Sequence, residues 1–97
     1  MRIAIIDLGT NTFNLLICDK KGESQKIIFK NKIAVKLGEG GIDKGIIAHA
    51  PYKRGIKALE DHLNTIKGYD VDKVRAFATS AIRSTKNGAD FVSEVLN

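Results

Sequence analysis

The sequence has 97 residues, which is enough for one small domain or for part of a larger one. Hydrophobic residues make up 43% and charged residues 28%, close to the averages of soluble globular proteins, and this argues against a disordered chain. The 16 Lys and Arg against 11 Asp and Glu give a net charge of +5. This balance indicates an anionic partner, either nucleic acid or a phosphorylated small molecule, unless the lysines only cover a solvated surface.

Two features bear on the compartment. The apolar run at residues 3–6 is stopped by Asp7, so it is too short for a signal peptide or a membrane span. The single cysteine, Cys18, lies in a second apolar run and is expected to be a buried small hydrophobe in a reducing compartment. We therefore predict a cytoplasmic protein with no membrane partner.

The first third of the chain predicts an antiparallel meander of three strands. Residues 2–8 are a short apolar run, typical of a strand that is buried on both faces. A second run at 13–18 ends in a turn at 19–22, and a third strand begins near Ser24. Lysines alternate imperfectly with apolar residues in the third strand, as is typical of an edge strand.

The remainder predicts a helix, a strand and a second helix. After a glycine-rich loop, residues 51–67 carry one apolar stripe at helical spacing: Tyr52, Ile56, Leu59, Leu63 and Ile66. A strand is expected over 74–78, then a polar connector at 79–85. The last helix is expected to be capped by Asn87. Its apolar face consists of Phe91, Val92, Val95 and Leu96. Two helices are too few to cover both faces of a sheet, so we expect residues 1–97 to be the N-terminal part of a single larger α/β domain.

The strongest functional signal is the turn that follows the first strand. Asp7 is expected to be a buried carboxylate at the strand end, and Gly9, Thr10, Asn11 and Thr12 follow it. Glycine allows close approach of an oxyanion to the backbone, and hydroxyl and amide side chains add donors. Asp7 is suited to a Mg²⁺ ion held through water. The alternative is a plain hairpin whose polar side chains bond only their own backbone.

A second signal is the segment at 78–83, which follows the predicted fourth strand and ends in Arg83. In open α/β sheets, ligands bind at the carboxyl ends of strands, and the planar guanidinium group matches a phosphate. The alternative is that Arg83 pairs with an acidic side chain or caps a helix. Spacing does not decide between these two roles.

Two other kinds of site are not supported by the pattern. The G-x-x-x-x-G-K spacing of a P-loop is absent. His49 and His62 lack the spacing of metal ligands or of a catalytic triad, and we expect both to lie on the surface.

Three segments together resemble the exopolyphosphatase / guanosine pentaphosphate phosphohydrolase (Ppx/GppA) family. Residues 7–13 followed by 15–17 resemble the first phosphate loop of that family. Residues 35–40 resemble its segment after the third strand. Residues 78–83, with Asn87 and Phe91, resemble its third motif. The first loop alone is shared loosely with actin, sugar kinases and acetate kinase, whereas the three segments in order are specific.

The resemblance implies a ribonuclease H-like, actin-like α/β domain, of which this chain would be the βββαβα portion with a mixed sheet ordered 3-2-1-4. It also implies Mg²⁺-dependent hydrolysis of the terminal phosphoanhydride of inorganic polyphosphate or pppGpp. The expected partner is therefore a polyanionic phosphate substrate rather than nucleic acid, and the chain could also form a homodimer.

By position in the family motifs, Gly9, Thr10, Asn11, Thr12 and Arg83 would bind phosphate, and Asp7 would serve the metal. A threonine stands where the family often has serine, which keeps the hydroxyl. Asn14 stands where many members carry His or Arg.

The family's catalytic glutamate and second phosphate loop are not among these residues. Glu94 is expected on the outer face of the last helix, so it does not replace the glutamate. The catalytic base is expected beyond Asn97, and the 97 residues alone are expected to be inactive. Two alternatives remain: an ATP-dependent phosphotransferase of the same superfamily, and a non-catalytic half-domain that binds a partner.

Overall fold

The computed structural model describes residues 1–96, without the side chains of Ile42, Val92, Val95 and Leu96. The elements in chain order are β1 (Arg2–Leu8), β2 (Thr12–Lys21), β3 (Ser24–Ala34), a 3₁₀ turn (Ile42–Lys44), α1 (His49–Lys67), β4 (Lys73–Ala78), α2 (Ser80–Ser84) and α3 (Gly88–Leu96). The strands form one mixed sheet in the order β3-β2-β1-β4. β2 is antiparallel to both of its neighbours, while β4 is parallel to β1. The meander and the order 3-2-1-4 are confirmed.

One face of the sheet forms the core beneath α1. Ala4, Ile6 and Leu8 alternate along β1 and are buried. Their partners across the ladder are Ile17, Leu15 and Phe13 of β2, which are also buried. The period-2 alternation of both strands therefore places six apolar side chains on the same face.

The opposite face of the sheet is not covered by the described residues. Ile3 and Ile5 are half-buried there, and Asp7 is exposed. The prediction that β1 is buried on both faces is therefore wrong for the described residues, because the single long helix packs on one side only. Phe77 lies beside Asp7 in the parallel register and is 56% exposed.

α1 lies close to the core because small residues face inward. Gly55 and Ala58 are buried, and a Cβ atom at Gly55 would stand 2.7 Å from the ring of Phe91. Of the predicted stripe, Leu59 and Ile66 are buried, while Tyr52, Ile56 and Leu63 are half-buried beside the core. Gly55, which has no side chain, thus lets α1 approach Phe91 of α3 closely, while Leu59 and Ile66 of the stripe enter the core.

The two histidines differ in environment. His49 is exposed, as expected, but His62 is wholly buried on the inner face of α1. The surface prediction for His62 is wrong. His62 lies between Leu59 and Ile66 at helical spacing, so it shares their face. Cys18 is buried, as predicted.

The segment after β4 contains a helix that the sequence does not predict. α2 occupies Ser80–Ser84 within the predicted connector, with Thr79 as its N-cap. Asn87 directly precedes α3, but its side chain does not cap that helix: the amide bonds the backbone N–H and carbonyl of Ile47, both at 2.8 Å. Phe91 is buried as predicted. The predictions for the side chains of Val92, Val95 and Leu96 lie outside the described residues.

No helix within residues 1–96 has the length and hydropathy that a membrane crossing requires.

Candidate functional site

The turn between β1 and β2, called here the 9–12 loop, is closed by its own backbone. The N–H of Gly9 donates to the carbonyl oxygen of Thr12 at 3.0 Å. A Cβ atom at Gly9 would stand 2.9 Å from that oxygen, which is closer than Cβ atoms approach backbone oxygens. Glycine is therefore required for this closure.

The segment that follows β3, residues 35–37, supports the loop from behind. The N–H groups of Val35 and Lys36 donate to the carbonyl of Asn11 at 2.8 and 2.9 Å. The N–H of Leu37 donates to the carbonyl of Thr10 at 2.7 Å. All three bonds use carbonyl oxygens of the loop, and none uses the N–H of Thr10 or Asn11. The carbonyl side of the loop is thus fixed to the protein, which is the arrangement in which N–H groups can bind an anion.

The second predicted segment adjoins the loop. Leu8 and Ala78 are partners in the parallel β1–β4 pair, so both chains leave the sheet at the same edge. The N–H of Thr79 donates to the carbonyl of Leu8 at 3.3 Å, and the Thr79 hydroxyl accepts from the N–H of Ile82 at 3.4 Å. The structure therefore brings the 9–12 loop and the start of α2 together, although they are far apart in sequence.

Arg83 lies in the last turn of α2 and is exposed. Within the described part of the chain, its guanidinium group has no hydrogen bond or ion pair. Two other arginines are bound to the protein: Arg2 pairs with Asp19 at 2.8 Å, and Arg54 with Glu39 at 3.2 Å. The described residues thus give Arg83 no acidic partner, and it caps no helix end.

Asp7 is exposed on the uncovered face of the sheet, two residues before Gly9. The prediction of a buried carboxylate is wrong, because successive side chains of a strand point to opposite faces and the face of Asp7 has no helix on it. Residues 1–96, as far as they are described, contain no cluster of three His, Cys, Asp or Glu side chains that could hold a metal ion. Among these described residues, Asp7 is a single carboxylate beside the loop.

Asn14 lies on the same face as Asp7 and is its partner across the β1–β2 ladder. Its Oδ1 atom is buried and has no hydrogen-bond partner. Lys32 of β3 is its partner on the other side, and Lys30 lies two residues earlier in that strand. Asn14, Lys30 and Lys32 border a shallow depression of about 560 Å³. The sequence marked Asn14 only as a departure from the family motif; its pairing with Asp7 requires the strand register.

Glu94 has its hydrogen-bond partner on α1. Its Oε2 atom accepts a hydrogen bond from the Tyr52 hydroxyl at 2.7 Å, which joins α3 to α1. Burial, and then this hydrogen bond, raise the pKa of Tyr52 to about 12. A groove of about 490 Å³ lies between these helices, and it shares no residue with the 9–12 loop or with α2.

The mixed sheet ordered 3-2-1-4 and the loop between its first two strands indicate an actin-like α/β fold. Solved structures agree with this fold over nearly the whole chain. An exopolyphosphatase from Cytophaga hutchinsonii matches 98% of the chain with a TM-score of 0.92 and 37% identity. The PPX-GPPA enzyme of Aquifex aeolicus matches 98% with a TM-score of 0.89 and 32% identity. The chain covers 30% and 32% of these two proteins, respectively.

The Ppx/GppA phosphatase family matches residues 16–97, and the chain belongs to that family. Among curated relatives, a guanosine-5'-triphosphate,3'-diphosphate pyrophosphatase from Pseudoalteromonas atlantica is 33% identical over 91% of the chain and 18% of its own length. A bifunctional 3-dehydroquinate synthase/phosphatase from Fusobacterium nucleatum is 32% identical over 97% of the chain and 15% of its own length. The chain therefore spans less than a third of the length of these two relatives.

Proposed function

We propose that these residues supply the first phosphate-binding loop of a phosphatase that hydrolyses the terminal phosphoanhydride of inorganic polyphosphate or of pppGpp. The observation that carries the proposal is the junction of two separate segments at one sheet edge, where the N–H of Thr79 bonds the carbonyl of Leu8 at 3.3 Å. This junction places a hydroxyl- and amide-rich turn beside a short helix whose arginine has no partner among the described residues. Family membership and the names of the relatives support the same activity.

The 9–12 loop is proposed to bind the phosphate through its N–H side. Its carbonyls are occupied by residues 35–37, so the peptide groups are held in one orientation before the substrate arrives. Thr10, Asn11 and Thr12 add hydroxyl and amide donors, and Gly9 keeps the turn closed. Preorganised donors of this kind stabilise phosphate charge without reorganising during the reaction.

Arg83 is proposed to contact a phosphate oxygen. The guanidinium group carries donors in a planar fork that matches phosphate, and it is charged at any physiological pH. The described residues do not neutralise it, so its charge remains available to a polyanion.

Asp7 is proposed to hold Mg²⁺ together with the substrate. Mg²⁺ is commonly bound by one or two carboxylates plus substrate phosphates, and it keeps several waters. A single exposed carboxylate beside the loop fits that donor set. When bound, the ion would offset the negative charge of the phosphates.

The 97 residues are proposed to bind phosphate without completing the reaction. Glu94 is hydrogen-bonded to Tyr52 at the α1–α3 contact, so it is not assigned as the base that activates water. The base is proposed to lie outside these residues, in the full-length protein.

The test is orthophosphate release from tripolyphosphate and from pppGpp by the full-length protein with Mg²⁺. We expect release from at least one substrate, and loss of release in excess EDTA or in Asp7→Asn. Asp61→Asn, which neutralises an exposed carboxylate on α1, is the matched control and should keep full activity. Absence of release from both substrates would overturn the proposal, while undiminished release in EDTA would overturn its metal component.

A further inference from the structure

Arg54, on the flank of α1, makes three hydrogen bonds to the segment that follows β3. Its Nε donates to the carbonyl of Val35 at 2.8 Å, and its Nη2 donates to the carbonyl of Lys36 at 3.3 Å. The same Nη2 lies 3.2 Å from Oε1 of Glu39. One guanidinium group thus holds two successive carbonyls and a carboxylate.

The peptide units held by Arg54 are the ones that support the 9–12 loop. Val35 and Lys36 accept from Arg54 through their carbonyls and donate to Asn11 through their N–H groups. A continuous path of hydrogen bonds therefore runs from α1 through residues 35 and 36 to the loop. Hydrogen bonds in such a chain polarise one another and are strengthened together.

The backbone at Lys36 needs this support. Lys36 has a φ of 49°, in the left-handed region that residues other than glycine seldom occupy. A residue keeps such a conformation where the surrounding contacts determine it. The carbonyl of Lys36 is bonded to Arg54, and its N–H is bonded to Asn11.

We propose that Arg54 is a positioning residue for the 9–12 loop, acting through residues 35 and 36, and that it does not contact the phosphate itself. The proposal rests on the proposed function of the loop. The Nε and Nη2 donors of Arg54 are already bonded to the protein, whereas the guanidinium group of Arg83 has no hydrogen bond within the described residues. Loss of the Arg54 fork should loosen the carbonyl side of the loop while leaving the core, which Arg54 does not enter, intact.

The test compares Arg54→Met, Arg54→Lys and Glu39→Gln in the full-length protein. Amide hydrogen exchange of Val35, Lys36 and Leu37 reports directly on the bonds to the loop. We expect roughly tenfold faster exchange in Arg54→Met, which corresponds to losing about one charge-assisted hydrogen bond. Arg54→Lys should recover only part of the protection, because an ammonium group cannot hold two carbonyls in one plane. Glu39→Gln should exchange like the wild type, since both carbonyl contacts remain.

Turnover provides the second measurement. At a temperature well below unfolding, kcat/KM for orthophosphate release should fall about tenfold in Arg54→Met. It should stay unchanged in Glu39→Gln. Unchanged exchange at residues 35–37 in Arg54→Met would overturn the proposal, even if activity fell. If the wild type releases no orthophosphate, the proposed function fails, and the exchange data still decide whether Arg54 holds the loop.

Discussion

The Nε2 atom of His62 lies 2.9 Å from the carbonyl oxygen of Phe13, and the imidazole is wholly buried. Because a carbonyl can only accept, Nε2 donates this hydrogen bond. Nδ1 is buried without a hydrogen-bond partner. The bond joins the inner face of α1 to the residue that follows the 9–12 loop, so it holds the beginning of β2 against the helix.

Replacing His62 should therefore lower the free energy of unfolding more than replacing an exposed histidine would. His62→Ala removes the donor to Phe13 and opens a cavity, and we expect it to reduce the free energy of unfolding by about 2–4 kcal/mol. His62→Gln keeps an N–H donor and should cost about 1–2 kcal/mol. Denaturant unfolding of the full-length protein measures both, with His49→Ala as the exposed control. Equal losses for His49→Ala and His62→Ala would contradict the role of the buried bond.

Gly9→Ala should lower kcat/KM more than it lowers the stability of the fold. The new Cβ would stand 2.9 Å from the carbonyl oxygen of Thr12, so the bond that closes the 9–12 loop must open or shift. We expect kcat/KM to fall by roughly tenfold or more, because a small misplacement of positioning groups is costly in a preorganised site. Gly68→Ala is the matched control: its Cβ would lie 3.4 Å from the Thr65 carbonyl. An active Gly9→Ala protein would show that closure of the loop is not needed.

Arg83→Ala should lower turnover without lowering the melting temperature. A charge-assisted contact to phosphate is worth about 1.5–3 kcal/mol, or roughly ten- to a hundredfold in kcat/KM. Arg83→Lys should recover part of the loss, since the charge remains but the fork is lost. Thermal unfolding and steady-state kinetics on the same preparations separate the two effects. An alanine variant that melts early but turns over normally would assign Arg83 to the scaffold.

Alkaline pH should destabilise the contact between α1 and α3 through Tyr52. Its pKa is raised to about 12 by burial and by the hydrogen bond to Glu94, whereas an unfolded tyrosine ionises near pH 10. The folded state therefore keeps the tyrosine proton up to a higher pH than the unfolded state does. The contribution of Tyr52 to the free energy of unfolding is complete below about pH 10 and is lost as the pH rises toward 12.

The variant for this prediction is Tyr52→Phe, which cannot ionise. Between about pH 9 and pH 11.5 the melting temperature of the wild type should fall more steeply than that of Tyr52→Phe. Parallel curves of melting temperature against pH for the two proteins would show that Tyr52 does not contribute to the loss of stability at alkaline pH.

The strands and the long helix could be predicted because their patterns are local. Strand alternation, the turn at 19–22 and the spacing of Leu59 and Ile66 all reflect the period of one element. α2 could not be predicted in this way, because five residues are too few to show a helical period. The only sequence signal for it is a threonine at position 79, suited to an N-cap.

The candidate site depends on contacts that a sequence does not contain. The pairing of Asp7 with Asn14 and of Leu8 with Ala78 follows from strand register. Exposure of Asp7 and burial of His62 depend on which face of the sheet α1 covers and how the helix is turned. A stripe of apolar residues indicates which side of a helix faces the core, whereas Gly55 decides how closely α1 approaches Phe91 of α3. Mg²⁺ binding, cytoplasmic location and a homodimer stay predictions.

The central claim is that the 9–12 loop binds a substrate phosphate. A crystal structure of the full-length protein with bound tripolyphosphate and Mg²⁺ tests this most directly. The account predicts a phosphate oxygen within hydrogen-bond distance, about 3 Å, of an N–H group of the loop, with the guanidinium group of Arg83 on the same phosphate chain. A tripolyphosphate bound elsewhere, with no contact to the loop or to Arg83, would contradict it.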